Sequence, residues 1–185
     1  MQNTLTDAQK QELLAFARST VEEYLGDGTR KDPLPAQGIY ADECGAFVTL
    51  HKKGQLRGCI GNMVGHGPLI MTIREMAIAA ATGDPRFHRV KAEEMSSIDI
   101  EISVLSPLEL IKDVSRLEVG KHGILMKRGF YQGVLLPQVA SEYGWDRETF
   151  LAHTCEKAGL PADAWKDSET EIYIFAADVF GEKGL

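Results

Sequence analysis

The stretch Ser97-Ile98-Asp99-Ile100-Glu101-Ile102-Ser103-Val104-Leu105 alternates apolar and polar side chains with a period of two. That is the pattern of a β-strand with one face in a core. Ile98, Ile100, Ile102 and Val104 point one way; Asp99, Glu101 and Ser103 point the other. The second face meets water or lines a cleft. Glu101 stands at its centre, a candidate base or hydrogen-bond acceptor, with an ordinary solvated strand face as the alternative.

Before this strand, the pattern Leu69 to Ala81 is alanine-rich and apolar around much of its circumference, which predicts a buried helix entered at Pro68. Thr82-Gly83-Asp84-Pro85-Arg86-Phe87 stops it. Asp84 and Arg86 then lie on a stiff turn, either as a turn-closing ion pair or as polar groups held for a ligand. Further upstream, residues 44–51 and 55–60 flank Lys52-Lys53-Gly54 and read as a hairpin. Residues 29–43, with Pro33, Pro35 and Gly38, read as an irregular connection. Thr6 or Asp7 can cap a helix running to about Leu25, whose apolar stripe is Leu13, Leu14, Ala17, Val21, Tyr24 and Leu25. Gly26-Asp27-Gly28 is expected to end it.

After the strand, Ser106-Pro107 is a break. Ile124 to Lys127 and Phe130 to Leu136, joined at Arg128-Gly129, predict a second hairpin. His122 between Gly120 and Gly123 is expected to be an exposed, mobile loop residue able to shuttle protons near neutral pH. Pro137 opens a short helix to Tyr143, and Asp146 caps another from Arg147 to Ala158 with Gly159 at its end. Cys155 falls on that helix's inner face. Glu171 to Phe180 reads as a last strand. Two hairpins with no repeating βαβ unit argue for an α+β fold. Its sheet is expected to be largely antiparallel with flanking helices, in two unequal lobes separated by a cleft. The smaller lobe is expected around residues 107–136.

The unusual chemistry is concentrated in Gln55-Leu56-Arg57-Gly58-Cys59-Ile60-Gly61. On a regular strand Arg57 and Cys59 share a face. A guanidinium beside a thiol favours the thiolate, the nucleophilic form. Gly58 and Gly61 let a ligand or another backbone approach closely. An inert, packed thiol is the alternative reading of Cys59.

The chain of 185 residues carries a formal charge of −7, from 27 acidic and 20 basic residues. It is long enough for one good core. The acidic balance argues against broad nucleic-acid or anionic-membrane binding. Lys52, Lys53 and Arg57 still make a local basic cluster. Cys44, Cys59 and Cys155 are widely spaced and fit neither a disulfide framework nor a zinc-ribbon pattern. The first residues lack the basic and apolar regions of a signal peptide, and no apolar run is long enough to span a bilayer. A reduced, cytoplasmic protein is expected.

Several runs together resemble one known family. Phe47-Val48-Thr49-Leu50 with Leu56-Arg57-Gly58-Cys59-Ile60-Gly61 is similar to the hallmark of the AMMECR domain family. Asp84-Pro85-Arg86-Phe87, Ile100-Glu101-Ile102-Ser103-Val104-Leu105, His122-Gly123, Leu136-Pro137-Gln138-Val139-Ala140, Gly144-Trp145-Asp146 and Lys157-Ala158-Gly159-Leu160 follow in the family's order. The resemblance spans about residues 8–180; Asn62-Met63 departs from the threonine and bulky residue of many members. It implies an α+β fold of two unequal lobes with a cleft. Bacterial and archaeal members resemble protein A of the AmmeMemoRadiSam set. That context implies two partners, a Memo-like protein and a radical S-adenosylmethionine protein. No reaction and no cofactor come with the family. Its suspected site residues map to Arg57, Cys59 and Glu101, with Asp84, Arg86 and His122 as additions.

Three functional readings follow. In the first, the protein is an enzyme with Cys59 as nucleophile. Arg57 activates the thiol or holds an anionic small molecule, Glu101 or His122 moves protons, and Asp84, Arg86, Gly58 and Gly61 line the substrate. In the second, it is a non-catalytic binding or scaffold module, with Arg57, Arg86 and Glu101 in an ion-pair network and Cys59 packed. The third, a metal site, requires Cys59 and His122 to converge, with Glu101 as an optional further ligand, and no ligand spacing in the sequence points to it.

Overall fold

The computed structural model describes residues 5–26 and 35–184. The expected helix stop at Asp27 and Gly28, and Pro33 of the following connection, lie outside them. Helix α1 (Asp7–Leu25) begins at Thr6, whose hydroxyl accepts the Gln9 N–H while the Gln9 side chain accepts the Thr6 N–H. This reciprocal cap satisfies two of the N–H groups that a helix start leaves without partners. The other elements are β1 (Ala46–Lys52), β2 (Gln55–Asn62), α2 (Leu69–Thr82), β3 (Ile98–Leu105), β4 (Glu109–Ile111), β5 (His122–Arg128), β6 (Tyr131–Leu135), α3 (Pro137–Tyr143), α4 (Arg147–Lys157) and β7 (Glu171–Gly181). The fold is α+β, and the described strand ladders are antiparallel.

The chain divides into two compact units. One comprises the residues up to Leu105 together with Asp178 onward; the other is Ser106–Ala177. In the first unit β1 lies between β2 and β3. The face carrying Ala46, Val48, Leu50, Ile100 and Ile102 is buried with Leu13, Ala17 and Val21 of α1 and Leu69, Ile73 and Ala77 of α2. Each fully buried Leu or Ile contributes about 1.5–3 kcal/mol relative to an exposed one. The last turn of chain is fixed onto α1 by charge. Arg18 Nε and Nη2 contact both carboxylate oxygens of Glu182 at 2.5 and 2.6 Å, and Glu182 Oε2 also accepts the Ile100 N–H at 2.8 Å.

In the second unit the order is β6-β5-β7-β4. Ile124 and Met126 of β5, Ile172 and Ile174 of β7, and Phe150, Leu151 and Cys155 of α4 share its core. The α4 periodicity predicts that inner face, Cys155 included. β4 does not follow from the sequence, because three residues are too short to show alternation.

Candidate functional site

The hairpin of β1 and β2 turns on two residues with positive φ, Lys53 at 53° and Gly54 at 78°. That geometry matches the twist of the flanking strands and sets the register by its tightness. The pairing then slips between Leu50 and His51: Leu50 faces Gly58 and His51 faces Leu56, which leaves Arg57 as the extra residue of a β-bulge. Beyond the bulge Thr49 lies opposite Cys59 on one side and opposite Glu101 on the other. Cys59, Thr49 and Glu101 therefore form one row across three strands. Strands are spaced about 4.8 Å, so Cys59 and Glu101 stand on strands about 10 Å apart, with Thr49 between. The Thr49 hydroxyl donates to Cys59 Sγ at 3.3 Å.

The two glycines of the motif serve packing. A Cβ on Gly58 would lie 2.2 Å from the Ala80 carbonyl oxygen of α2, so only glycine lets the helix sit on the strand at this point. Gly61 is crossed by the Phe47 ring, 2.2 Å from where its Cβ would be. Of the two approaches that a glycine permits, the neighbour at Gly58 is protein backbone rather than a free surface.

The Arg57 guanidinium is bound by groups other than the thiol. Its Nε and Nη2 contact the two oxygens of Glu94 at 3.3 and 3.0 Å, and Nη1 donates to the His88 carbonyl at 2.9 Å. The expectation assumes regular alternation from Cys59, which no longer applies across the bulge. Glu94 also receives Lys52 Nζ at 2.7 Å and the Lys91 N–H at 3.0 Å. Hydrogen bonds from Arg57, then from Lys52 and the Lys91 backbone, pull the Glu94 carboxyl down to about 2. The network imagined from sequence, joining Arg57, Arg86 and Glu101, is replaced by separate pairs. Arg57 binds Glu94, Arg86 binds Asp84, and Glu101 has no hydrogen-bond or ion-pair partner among the described residues.

The guanidinium near Cys59 belongs to Arg86. Asp84, with its side chain 2% exposed, accepts from four donors. Oδ1 receives the Arg86 backbone N–H at 3.1 Å and Arg86 Nε at 2.9 Å. Oδ2 receives Arg86 Nη2 at 2.7 Å and the Cys59 N–H at 2.9 Å. Arg86 Nη2 also lies 3.4 Å from the Cys59 carbonyl oxygen. The Arg86 side-chain hydrogen bonds hold the Asp84 carboxyl well below the usual carboxylate range; burial opposes this, and the two backbone N–H groups reinforce it. The expected turn-closing ion pair is present, and it reaches across to hold the cysteine backbone as well. With both oxygens occupied, Asp84 has no open face for a ligand. Arg86, 56% exposed, has one.

Among the other expected site residues, His122 is the first residue of β5 rather than a mobile loop residue. It is half-buried, and its Nδ1 accepts the Glu118 N–H at 3.2 Å, which leaves the ring proton on Nε2 when the imidazole is neutral. It belongs to the second unit, whereas Cys59, Thr49, Asp84, Arg86, Arg57, Glu94 and Glu101 all belong to the first. Cys59 and Cys44 are half-buried and Cys155 is buried. Burial, followed by the Asp42 charge, pushes the Cys44 thiol up. Among the described residues no group of three or more His, Cys, Asp and Glu is placed to hold a metal ion. No described helix is long and apolar enough to cross a membrane. The sequence reading missed Thr49 and Glu94. Gly58 inside a strand was the available sign of a bulge, and with it of the register that brings Thr49 to Cys59.

Comparison with known proteins gives the same lineage as the motifs. The model of the AMMECR1 family matches residues 14–180. The chain belongs to the AMMECR1 family. A protein of Methanothermobacter thermautotrophicus is 48% identical over 179 residues, covering 93% of each chain. Protein PF1979 of Pyrococcus furiosus is 44% identical over 184 residues, covering 92% of this chain and 87% of its own length. The crystal structure of uncharacterized protein PH0010 from Pyrococcus horikoshii superposes on this AMMECR1-family fold with a TM-score of 0.88 at 41% identity. That match covers 97% of this chain and 94% of the other.

Proposed function

We propose that this AMMECR1-family protein is a thiol-dependent enzyme in which Cys59 attacks a small electrophilic substrate. One observation carries the reading: a single buried carboxylate, Asp84, holds both the Cys59 N–H and the Arg86 guanidinium. The thiol, its Thr49 hydroxyl donor and a cation are thereby fixed in one place before any substrate arrives, which is the preorganisation that nucleophilic catalysis requires. Glu101, whose side chain has no partner among the described residues and which lies in the same row, is the acid–base candidate. In the family context the chain acts on the same pathway as a Memo-like protein and a radical S-adenosylmethionine protein.

The reaction class is acyl transfer to sulfur. The Sγ–acyl carbon bond forms, the bond from acyl carbon to its leaving group breaks, and the thiol proton passes to solvent or to the departing group. p-Nitrophenyl acetate is a suitable probe. The reading expects a burst of one p-nitrophenolate per chain, acetyl found on Cys59 by mass spectrometry, and loss of both in Cys59→Ala. An undiminished burst in that variant contradicts it.

A second reading, a binding module without chemistry, is favoured by the commitment of Arg57 and Glu94 to each other. Three of the motif's polar and glycine positions then serve the fold: Arg57 holds Glu94, and Gly58 and Gly61 accommodate packing. Under it Cys59→Ala leaves affinity for any partner intact.

A further inference from the structure

Arg86 is the exposed cation of the Cys59 site, and its hydrogen bonds are unevenly distributed. Nε and Nη2 are directed to Asp84, and Nη2 additionally to the Cys59 carbonyl. Nη1 has no partner among the described residues, so its two N–H donors are left over in a side chain that is 56% exposed. The guanidinium cannot swing away to find other partners, because Asp84 grips it along one edge from a buried position. A fork of N–H donors held rigid on one edge and open on the other is the geometry that binds an oxyanion.

The surroundings agree. Although the whole chain carries −7, the segment that follows Arg86 holds the exposed Arg89, stacked over Tyr24, and the exposed Lys91. The Thr49 hydroxyl supplies another donor at the sulfur.

We infer that the Cys59 site takes a substrate bearing a carboxylate or phosphate group, held by the open Nη1 edge of Arg86 while the electrophilic carbon faces Cys59 Sγ. This rests on the nucleophile reading above and adds the substrate class to it. Asp84 in this account is a positioning residue: it touches no substrate and acts by aiming Arg86. Because Asp84 neutralises Arg86, recognition comes from directed donors more than from net charge. Its dependence on inert salt is therefore shallow.

The test compares two alkylating agents of nearly the same size, iodoacetate and iodoacetamide, at Cys59. In both, Sγ bonds to the CH2 carbon, iodide leaves and the thiol proton goes to solvent; only iodoacetate carries a carboxylate. The expected result is that the iodoacetate to iodoacetamide rate ratio at Cys59 exceeds that of N-acetylcysteine by about tenfold. Saturation with iodoacetate concentration is also expected. Arg86→Lys, which keeps the charge but cannot grip Asp84 and a ligand at once, brings the ratio down towards that of N-acetylcysteine. A second arm needs no variant. At constant ionic strength, acetate protecting Cys59 from iodoacetate identifies a carboxylate site, and inorganic phosphate protecting it identifies a phosphate site. If iodoacetamide labels Cys59 but the ratio is ordinary and neither anion protects, the inference is overturned and the nucleophile reading stands. If neither agent labels Cys59 in the folded protein, both fail.

Discussion

The carboxylate of Asp84 accepts the backbone N–H of Cys59 at 2.9 Å, a contact between residues 25 apart in sequence. It turns a loop after α2 into a fixture of β2, and through the Asp84–Arg86 pair it brings the Arg86 guanidinium to the Cys59 backbone. Since the Asp84 side chain is 2% exposed, replacing it removes the acceptor for four donors at once. Asp84→Ala is expected to lower stability by about 3–5 kcal/mol, the range for breaking a buried ion pair from one side. Urea unfolding checks this. Asp84→Asn keeps one acceptor and loses less.

Gly58→Ala is expected to be more damaging than its size suggests. The added carbon meets the Ala80 carbonyl at 2.2 Å, and a helix backbone cannot yield as a flexible side chain does. A cost of about 3 kcal/mol or more is expected, at the upper end for overpacking. At Gly54, with φ of 78° and open space around it, alanine costs about 1 kcal/mol through backbone strain alone. Thermal melts of the two variants side by side separate the two causes.

The Glu94 pair gives a pH signature. Its folded value, about 2, lies below the ordinary 4.5. The stabilisation it provides is therefore fully present above pH about 4.5 and is lost as pH falls towards about 2. Glu94→Gln should unfold at lower urea concentration than the parent at pH 7. The gap should narrow steadily between pH 4.5 and 2. A gap that stays constant over that window removes the proposed role of Arg57 and Lys52.

Arg18→Met is expected to loosen the end of β7 by removing the bidentate contact to Glu182. The cost is about 2 kcal/mol, since the pair is partly buried and Glu182 still accepts the Ile100 N–H. Amide hydrogen exchange should show the loss first at Gly181 and Glu182.

Much of the fold was legible because the local signals agreed with each other. Thr6 with Gln9, Asp146 with Thr149, and the alternation from Ile98 to Val104 each specify their element without tertiary help. The site was less legible. Alternation assumes a regular ladder, and the bulge at Arg57 breaks it where the chemistry lies. The ion pair of Asp84 with Arg86 is local and could be read from the turn. The bond from Asp84 to the Cys59 N–H joins a side chain to a distant backbone, and no residue spacing encodes it. Glu94 was overlooked because a glutamate in a charged stretch shows nothing until Lys52 and Arg57 are brought to it. His122 was misplaced for a related reason: two glycines suggest a loop, while pairing of His122 with Ala176 of β7 makes a strand.

If Cys59 is held as a reactive thiol, site-resolved alkylation of the folded protein singles it out. Limiting iodoacetamide at pH 7, followed by mass-spectrometric mapping, ranks Cys59 against Cys44 and Cys155 within one molecule. Cys59 is expected to be labelled first, Cys44 to lag because burial pushes its thiol up, and Asp84→Asn to slow Cys59 selectively. Labelling of Cys59 only after denaturant, or no faster than Cys44, contradicts that expectation.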